Sequence, residues 1–449
     1  MFAFLSIIIK KITHNNLNRN IFSGVLLTGL LALIGLLRAP LYLYFISFAE
    51  YGILSILALI PELVQLGMLG VAPALVKLSA EELGKGNKSG IVEFLNTAII
   101  FVLAASILVL PCVFLLQGQI AAFIDLDLGN ADIFFRCIPW VCGLLIVTLL
   151  NQLFFSITVG IGRIDISNML RFIIALINLL VAFLFLLNTS SVKSILQASV
   201  VTEIISLCYL FFILRRSGYQ TFAGRIFSTA KFKRLLSYGI PIVLSTLFSG
   251  GLMISCVKAL LSRYCGIQSV GYFNLAWSIF CRIIMIINLG FQAILPEITK
   301  LRAQNEDEQN IAKLNRKLFR MVCLCGTIIC VLSLVLSPII FKIWLQSRYR
   351  LEIVYMFNWL LPGLFFLFLS LITYYNALSL ERMKLVTFYG FINFAIVLVS
   401  MVLVFQFLQI QNPVWASCAV SIGQICATSL LFLFARNTSP LRQQITGRK

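Results

Sequence analysis

Charged side chains are scarce in this chain. Asp, Glu, Lys and Arg make up 11% of its 449 residues, against about a quarter in ordinary soluble domains. Hydrophobic residues make up 60%. A single soluble core cannot bury that much apolar surface, so a soluble globular class is excluded. Histidine occurs once, as His14 in a polar N-terminal stretch, and no role is assigned to it. There is no CxxC pair, no cluster with metal-ligand spacing, no Walker motif and no nucleotide-binding glycine loop. Neither a metal nor a cofactor is therefore expected, and ATP hydrolysis has no support. The twelve cysteines lie mostly inside apolar blocks, as Cys112, Cys208, Cys281 and Cys330 do, and read as small buried hydrophobes. Acids are few as well: 16 against 35 Lys and Arg, a net charge of +19. In a soluble chain that balance would suggest nucleic acid. Here the cytoplasmic bias of basic residues in membrane proteins explains it, and no nucleic-acid partner is expected.

What is present is a series of apolar blocks of roughly 20 residues or more, the length that crosses a bilayer as a helix. The blocks lack the alternation of a transmembrane barrel strand. The fold class is an all-α polytopic membrane protein with about 12 transmembrane helices. Helix 1 is expected over 21–47, helix 2 over 52–78, helix 7 over 235–262 and helix 8 over 270–298. The start, "MFAFLSIIIKK", has its charges after its apolar run, the reverse of a secretory signal. It reads as an interfacial helix over 1–20. Basic residues gather in segments such as Arg215–Arg234 and Lys300–Arg320, which places both termini in the cytoplasm.

Two stretches repeat. "FAEYGILS" (Phe48–Ser55) precedes "APALVKLSAE" (Ala72–Glu81), and "QSVGYFNLA" (Gln268–Ala276) precedes "ILPEITKLRA" (Ile294–Ala303). Each copy puts a Gly (Gly52, Gly271) where a helix enters from the outer side, and a Pro and a Lys (Lys77, Lys300) where it leaves. The pattern predicts two pseudo-symmetric six-helix lobes, 21–224 and 225–435, with a cytoplasmic tail over 436–449. Paired repeats of this kind occur in transporters.

Charge at membrane depth is costly and usually faces water or a partner. The residues concerned are Arg38, Glu62, Arg136, Glu203, Lys258, Arg282 and Lys342. Arg136 and Lys342 are close enough to a span end to snorkel, and Lys258, near the outer end of helix 7, has that reading open to it too. Asn274, Ser278 and Arg282 recur at i, i+4, i+8 on one face of helix 8. Gly251, Ser255, Lys258 and Ser262 share a face of helix 7. An Arg38–Glu62 ion pair would account for two of the charges. A hydrated cationic cavity lined by Arg38, Lys258, Arg282, Asn274 and Ser278 accounts for more of the pattern. A guanidinium fork suits phosphate or carboxylate, so the cargo expected is a lipid phosphate or diphosphate with a polar head. Glu62 and Glu203 are candidates for ion coupling. Prolines recur inside spans, at Pro40, Pro61, Pro111, Pro139, Pro241, Pro338 and Pro362.

With "AEYGILS" after helix 1, "YGIPIVLSTLFSGGL" (Tyr238–Leu252) opening helix 7 and "SVGYFNLA" entering helix 8, the chain resembles the polysaccharide flippases of the multidrug/oligosaccharidyl-lipid/polysaccharide exporter (MOP) superfamily. The similarity is to the O-antigen (Wzx-type) branch and extends over nearly the whole chain. It implies that an undecaprenyl-diphosphate-linked oligosaccharide is flipped from the inner to the outer leaflet of a bacterial inner membrane by alternating access. It also implies glycan polymerase and chain-length machinery as partners besides the lipid bilayer. Helix 7 of that group often carries an acid followed by a base; "SCVKALLSR" here has Lys258 and no acid. Two other readings are weighed. A drug antiporter of the superfamily needs carboxylates for cations, yet helix 1 carries Arg38 instead. A glycan polymerase or ligase would be expected to carry a long outer loop, and none is evident, so no enzyme activity is expected.

Overall fold

The computed structural model describes residues 15–67, 70–219, 226–292, 308–379 and 383–437. The described residues are helical nearly throughout. In chain order the helices are α1 (Asn15–Phe45), α2 (Phe48–Leu57), α3 (Leu59–Gly67), α4 (Val71–Gly84), α5 (Lys88–Phe123), α6 (Leu128–Gly160), α7 (Ile164–Asn188) and α8 (Val192–Arg216). There follow α9 (Thr229–Thr246), a π turn (Leu247–Gly251), α10 (Leu252–Cys265), α11 (Ile267–Gln292) and α12 (Glu308–Leu345). The last are α13 (Leu351–Ser379), α14 (Met383–Val402) with a π turn (Leu403–Phe407), and α15 (Val414–Asn437). Among the described residues, 8 helices are long and apolar enough to cross a membrane unaided. With α2–α4 and α9–α10 taken as two interrupted crossings, the helices agree with the dozen expected from the sequence.

Several boundaries differ from those expected. Residues 15–20 are continuous with α1, while 1–14 lie outside the described residues. The same holds for most of the tail, for 300–307 of the second basic segment, and for the second copy's Pro and Lys. Helix 2 is not continuous. Pro61 has no N–H to offer the carbonyl of Leu57, so α2 ends there and α3 starts afresh with Pro61 in its first turn. A second break follows at Gly70, whose φ of 67° is left-handed. By contrast, Pro40, Pro111, Pro139, Pro338 and Pro362 sit inside unbroken helices. Helix 7 is divided by its π turn, in the glycine-containing stretch "LFSGG".

The chain packs as two compact units. The first comprises Met1–Leu41, Met68–Val113 and Pro139–Gly239; the second comprises Tyr42–Gly67, Phe114–Ile138 and Ile240–Lys449. These units follow packing, whereas the repeat-based lobes follow sequence order, so the two divisions of the chain differ. In the first unit α7 and α8 run side by side, and Phe94, Leu95, Ile157, Ala182 and Leu186 are fully buried. In the second unit α13 packs against α12, α11 and α15, around Phe341, Ile353, Met356, Leu360 and Leu364.

The repeated glycines meet inside the second unit. Helix α2 starts with a capping box: Ser47 Oγ accepts from Glu50 N at 3.2 Å, and Glu50 Oε2 accepts from Ser47 N at 2.8 Å. From this start α2 lies along α11. A Cβ built on Gly52 would collide with the carbonyl oxygen of Ile267, and one built on Gly271 would stand 2.5 Å from the carbonyl oxygen of Phe48. The backbones cross so closely that neither position has room for a side chain. Phe48 and Tyr272 stack edge to face beside the crossing, with centroids 4.9 Å apart. The sequence repeat is thus a reciprocal contact: each copy's glycine receives the other copy's backbone.

In the first unit, the segment expected to be topogenic also forms structural pairs. Lys231 Nζ lies 2.8 Å from Glu93 Oε2 and donates to the Gly90 carbonyl at 2.9 Å. Arg234 Nη2 lies 3.0 Å from Glu81 Oε2. Glu82 is almost fully buried. Burial alone would raise its pKa, but the Asn87 amide and the Lys85 ammonium donate to it, and the Lys231 charge is near. Together these hold the carboxyl below its ordinary value.

Two outcomes follow. Gly52→Val should cost about 1–3 kcal/mol through forced backbone displacement, read as a lower thermal midpoint in detergent, whereas Gly84→Ala, with open space around it, should leave the midpoint unchanged. Because the Glu82 carboxyl is lowered, its contribution is present above its unfolded value and is lost as pH falls through the folded one. Between pH 7 and pH 3 the midpoint of the wild type should therefore fall more steeply than that of Glu82→Gln.

Candidate functional site

The charged and amide side chains at membrane depth form a cluster in each unit. In the first unit, α6, α7 and α8 each contribute amide, hydroxyl or charged groups. Asn151 of α6 directs one amide nitrogen to α8, where it donates to the Glu203 carbonyl at 2.7 Å and to Glu203 Oε2 at 2.5 Å. One turn away on α8, Ser199 Oγ accepts from Asn178 Nδ2 of α7 at 3.4 Å. Asn178 is two turns along α7 from Arg171, on the same face. The guanidinium of Arg171 lies over the ring of Phe155 on α6, 4.3 Å from its centroid. Arg171 and Arg38 both lie close enough to Glu203 for their charges to act on it. Arg38 is half-buried within α1, and its Nε is enclosed with no hydrogen-bond partner among the described residues.

In the second unit, Lys258 on α10 is buried, only 6% exposed. Its ammonium donates to the carbonyl oxygen of Ser55 at 3.4 Å. That carbonyl is in the last turn of α2, where unpaired carbonyls and the helix dipole give negative potential. Snorkelling to the outer interface is therefore not its arrangement: the break in helix 2 supplies a carbonyl end for a buried cation. Glu62, in the first turn of α3, is exposed and is near enough to Lys258 for their charges to interact. Asn274 Nδ2 on α11 donates to the Tyr51 hydroxyl at 3.3 Å, and Arg282, two turns on, acts on the same hydroxyl by its charge. Ser278 donates back to Leu275 of its own helix at 2.8 Å. Ser255 likewise satisfies its hydroxyl locally, on the Gly251 carbonyl, while Ser262 reaches the Ile124 carbonyl; each contact is 2.8 Å long.

The residues expected from the sequence are thus divided. Arg38 and Glu203 fall in the first unit; Glu62, Lys258, Asn274, Ser278 and Arg282 fall in the second. Arg136 pairs with Asp132 at 2.8 Å at an exposed site, and Lys342 lies in the last turn of α12, as expected for residues near span ends. Sequence reasoning missed Arg171 and Asn151. The seven-residue spacing of Arg171 and Asn178 within an apolar helix was the available signal. The described residues hold no group of three or more His, Cys, Asp or Glu side chains able to bind a metal.

These features define a class: an all-helical, multi-pass membrane protein whose apolar helices carry two mixed-charge polar clusters. Residues 17–302 match the family described as polysaccharide biosynthesis protein, and the chain belongs to that family. A Shigella flexneri protein named as a proposed O-antigen transporter is 24% identical over 253 residues, a match that covers 56% of each chain. This chain therefore spans just over half the length of that relative. Among solved structures, an inward-facing multidrug resistance MATE family transporter of the MOP superfamily superposes with a TM-score of 0.71 at 14% identity, over 92% of this chain and 93% of that one. A MOP superfamily transporter from Pyrococcus furiosus, whose binding pocket has reverse polarity, gives 0.65 at 14% identity, over 93% and 94%. A Vibrio cholerae MATE transporter gives 0.63 at 14% identity, over 93% and 96%. At such identities the likeness is one of fold, and the fold is the one the sequence resemblance implied.

Replacing a buried ion by an apolar group of similar shape often leaves stability unchanged or raises it. Lys258→Met should therefore keep the wild-type thermal midpoint within about 2 °C. If the ammonium serves only to complete the end of α2, the display of surface glycan in a complemented strain should also be unchanged; its loss with the midpoint intact would assign Lys258 to transport.

Proposed function

We propose that this protein flips a phosphate-bearing, lipid-linked oligosaccharide from the inner to the outer leaflet of a bacterial inner membrane. On this reading the carrier lipid is an undecaprenyl diphosphate, the cycle is one of alternating access, and both termini are cytoplasmic. One observation supports it most: each unit carries more cation than anion at membrane depth. Arg38 and Arg171 stand with Glu203, and Lys258 and Arg282 stand with Glu62. In a low-dielectric wall, excess positive charge attracts an anion and repels the cationic drugs that a multidrug exporter must hold. The family match and the name of the Shigella flexneri relative support a glycan as the polar head. The Pyrococcus furiosus structure adds that this fold occurs with pockets of opposite polarity. Glycan polymerase and chain-length proteins would take up the product on the outer face. Ion coupling through Glu62 or Glu203 belongs to the same reading, and no catalytic step is part of it.

Deletion of the gene should remove long-chain surface polysaccharide and leave the lipid-linked unit on the inner leaflet. Arg38→Ala and Arg282→Ala should each reduce the surface glycan at least about tenfold, the loss of one charge-assisted contact, at unchanged protein level. Arg282→Lys should remain impaired, because an ammonium does not reproduce the fork. Normal display in both alanine variants, or transport of cationic dyes by the wild type, would overturn the reading.

A further inference from the structure

The first unit holds two guanidinium groups and one carboxylate at membrane depth without closing them into ion pairs. Among the described residues, no ion pair within 4.0 Å includes Arg38, Arg171 or Glu203, whereas Lys231 and Arg234 of the same unit do close such pairs. A pair retained for stability gains its attraction by coming into contact, because both ions have already lost water. Here Arg171 and Glu203 are each held by a neutral partner. Phe155 holds the Arg171 guanidinium over its ring on α6, 4.3 Å from the centroid. Asn151 holds Glu203, and its single amide nitrogen grips both the carboxylate and the backbone carbonyl of that residue. Arg38 keeps an enclosed Nε with no partner among the described residues. Arg171 is exposed, although it lies about two turns into α7. The group is therefore open to an incoming ligand on the side away from Phe155.

We propose that Arg171 and Arg38 together receive the phosphate of the cargo, and that Glu203 is the resident counter-anion that this phosphate displaces. The inference rests on the phosphate-bearing cargo proposed above and adds a residue and an exchange to it. In the empty site Glu203 shares the field of both guanidinium groups, so the cluster carries a net charge of one. That limits the cost of keeping two cations in a low-dielectric wall between cycles. A phosphate offers several oxygens to two planar forks, more than a carboxylate held by Asn151 can offer from its fixed position. The incoming anion therefore takes over both guanidinium groups. Asn151 keeps its donor to the Glu203 backbone throughout, so the displaced carboxylate stays on α8 ready to return when the cargo leaves. Competition by Glu203 weakens resting affinity and so favours release.

The test uses the full chain in nanodiscs, with farnesyl diphosphate and inorganic pyrophosphate as probes in titration calorimetry. Arg171→Gln should weaken binding of farnesyl diphosphate at least about tenfold, and Arg171→Lys should recover only part of it. Glu203→Gln should tighten it about three- to tenfold, since the competing anion is gone. In the double variant Arg171→Gln, Glu203→Gln that gain should disappear. A thermal midpoint for each variant verifies folding. Tightening in Glu203→Gln that is lost in the double variant is the result that a carboxylate acting independently of Arg171 would not give. Unchanged or weaker binding in Glu203→Gln, or unchanged binding in Arg171→Gln, overturns the exchange and leaves the cargo reading standing. Failure of the wild type to bind either probe removes both. Binding of farnesyl diphosphate alone assigns the anion to a lipid carrier, and equal binding of pyrophosphate assigns it to the phosphate group itself. Either outcome supports the cargo reading, and the Glu203 and Arg171 variants decide the exchange.

Discussion

A charge in hydrocarbon must find an opposite charge, a dipole or water, and this constraint organises the polar chemistry of the protein. The helices are apolar enough to be lipid-soluble, so each ionised group within them requires an account. Lys258 finds the carbonyl end of α2, which exists because Pro61 interrupts the second crossing. Glu203 finds the amide of Asn151. Arg171 finds the face of Phe155. None of these three solutions is a contact ion pair. Such arrangements leave the charges available, whereas a closed pair would consume them.

The constraint operates differently outside the apolar region. Near the ends of α4, α5 and α9, opposite charges do close: Lys231 with Glu93, Arg234 with Glu81, and Lys85 with Glu82. Water there lowers the cost of bringing the partners together, and Lys231 and Arg234 join the start of α9 to the start of α5 and the end of α4. Basic residues of the segment Arg215–Arg234 thus serve a structural purpose in the folded chain.

Backbone proximity is the other organising feature. The crossing of α2 and α11 requires that both partners lack a Cβ, and Gly52 and Gly271 meet that requirement reciprocally. Two copies of a motif, far apart in the chain, become one joint within the second unit. The edge-to-face pair of Phe48 and Tyr272 and the bond from Asn274 to Tyr51 pack beside it. The polar face of α11 that carries Arg282 is therefore positioned by a joint of close backbones, an aromatic pair and one side-chain hydrogen bond.

Much of this architecture is legible in the amino-acid sequence. Composition and block length determine the class, because apolar segments of that length have no aqueous solution, and the order of loose motifs points to the superfamily fold. Helical periodicity places Asn274 and Arg282 on one face, and the glycine repeat marks its own importance. The sequence does not reveal that Lys258 is buried on the end of a broken helix, since that depends on where Pro61 stops α2 and on which carbonyl lies opposite. It does not bring out Arg171 either, because Phe155 and Glu203, which stand beside it, lie on other helices. Periodicity along one helix is a local property, carried by the chain itself. The partner that satisfies a buried charge stands on another helix, so only the packing of helices against one another could decide it.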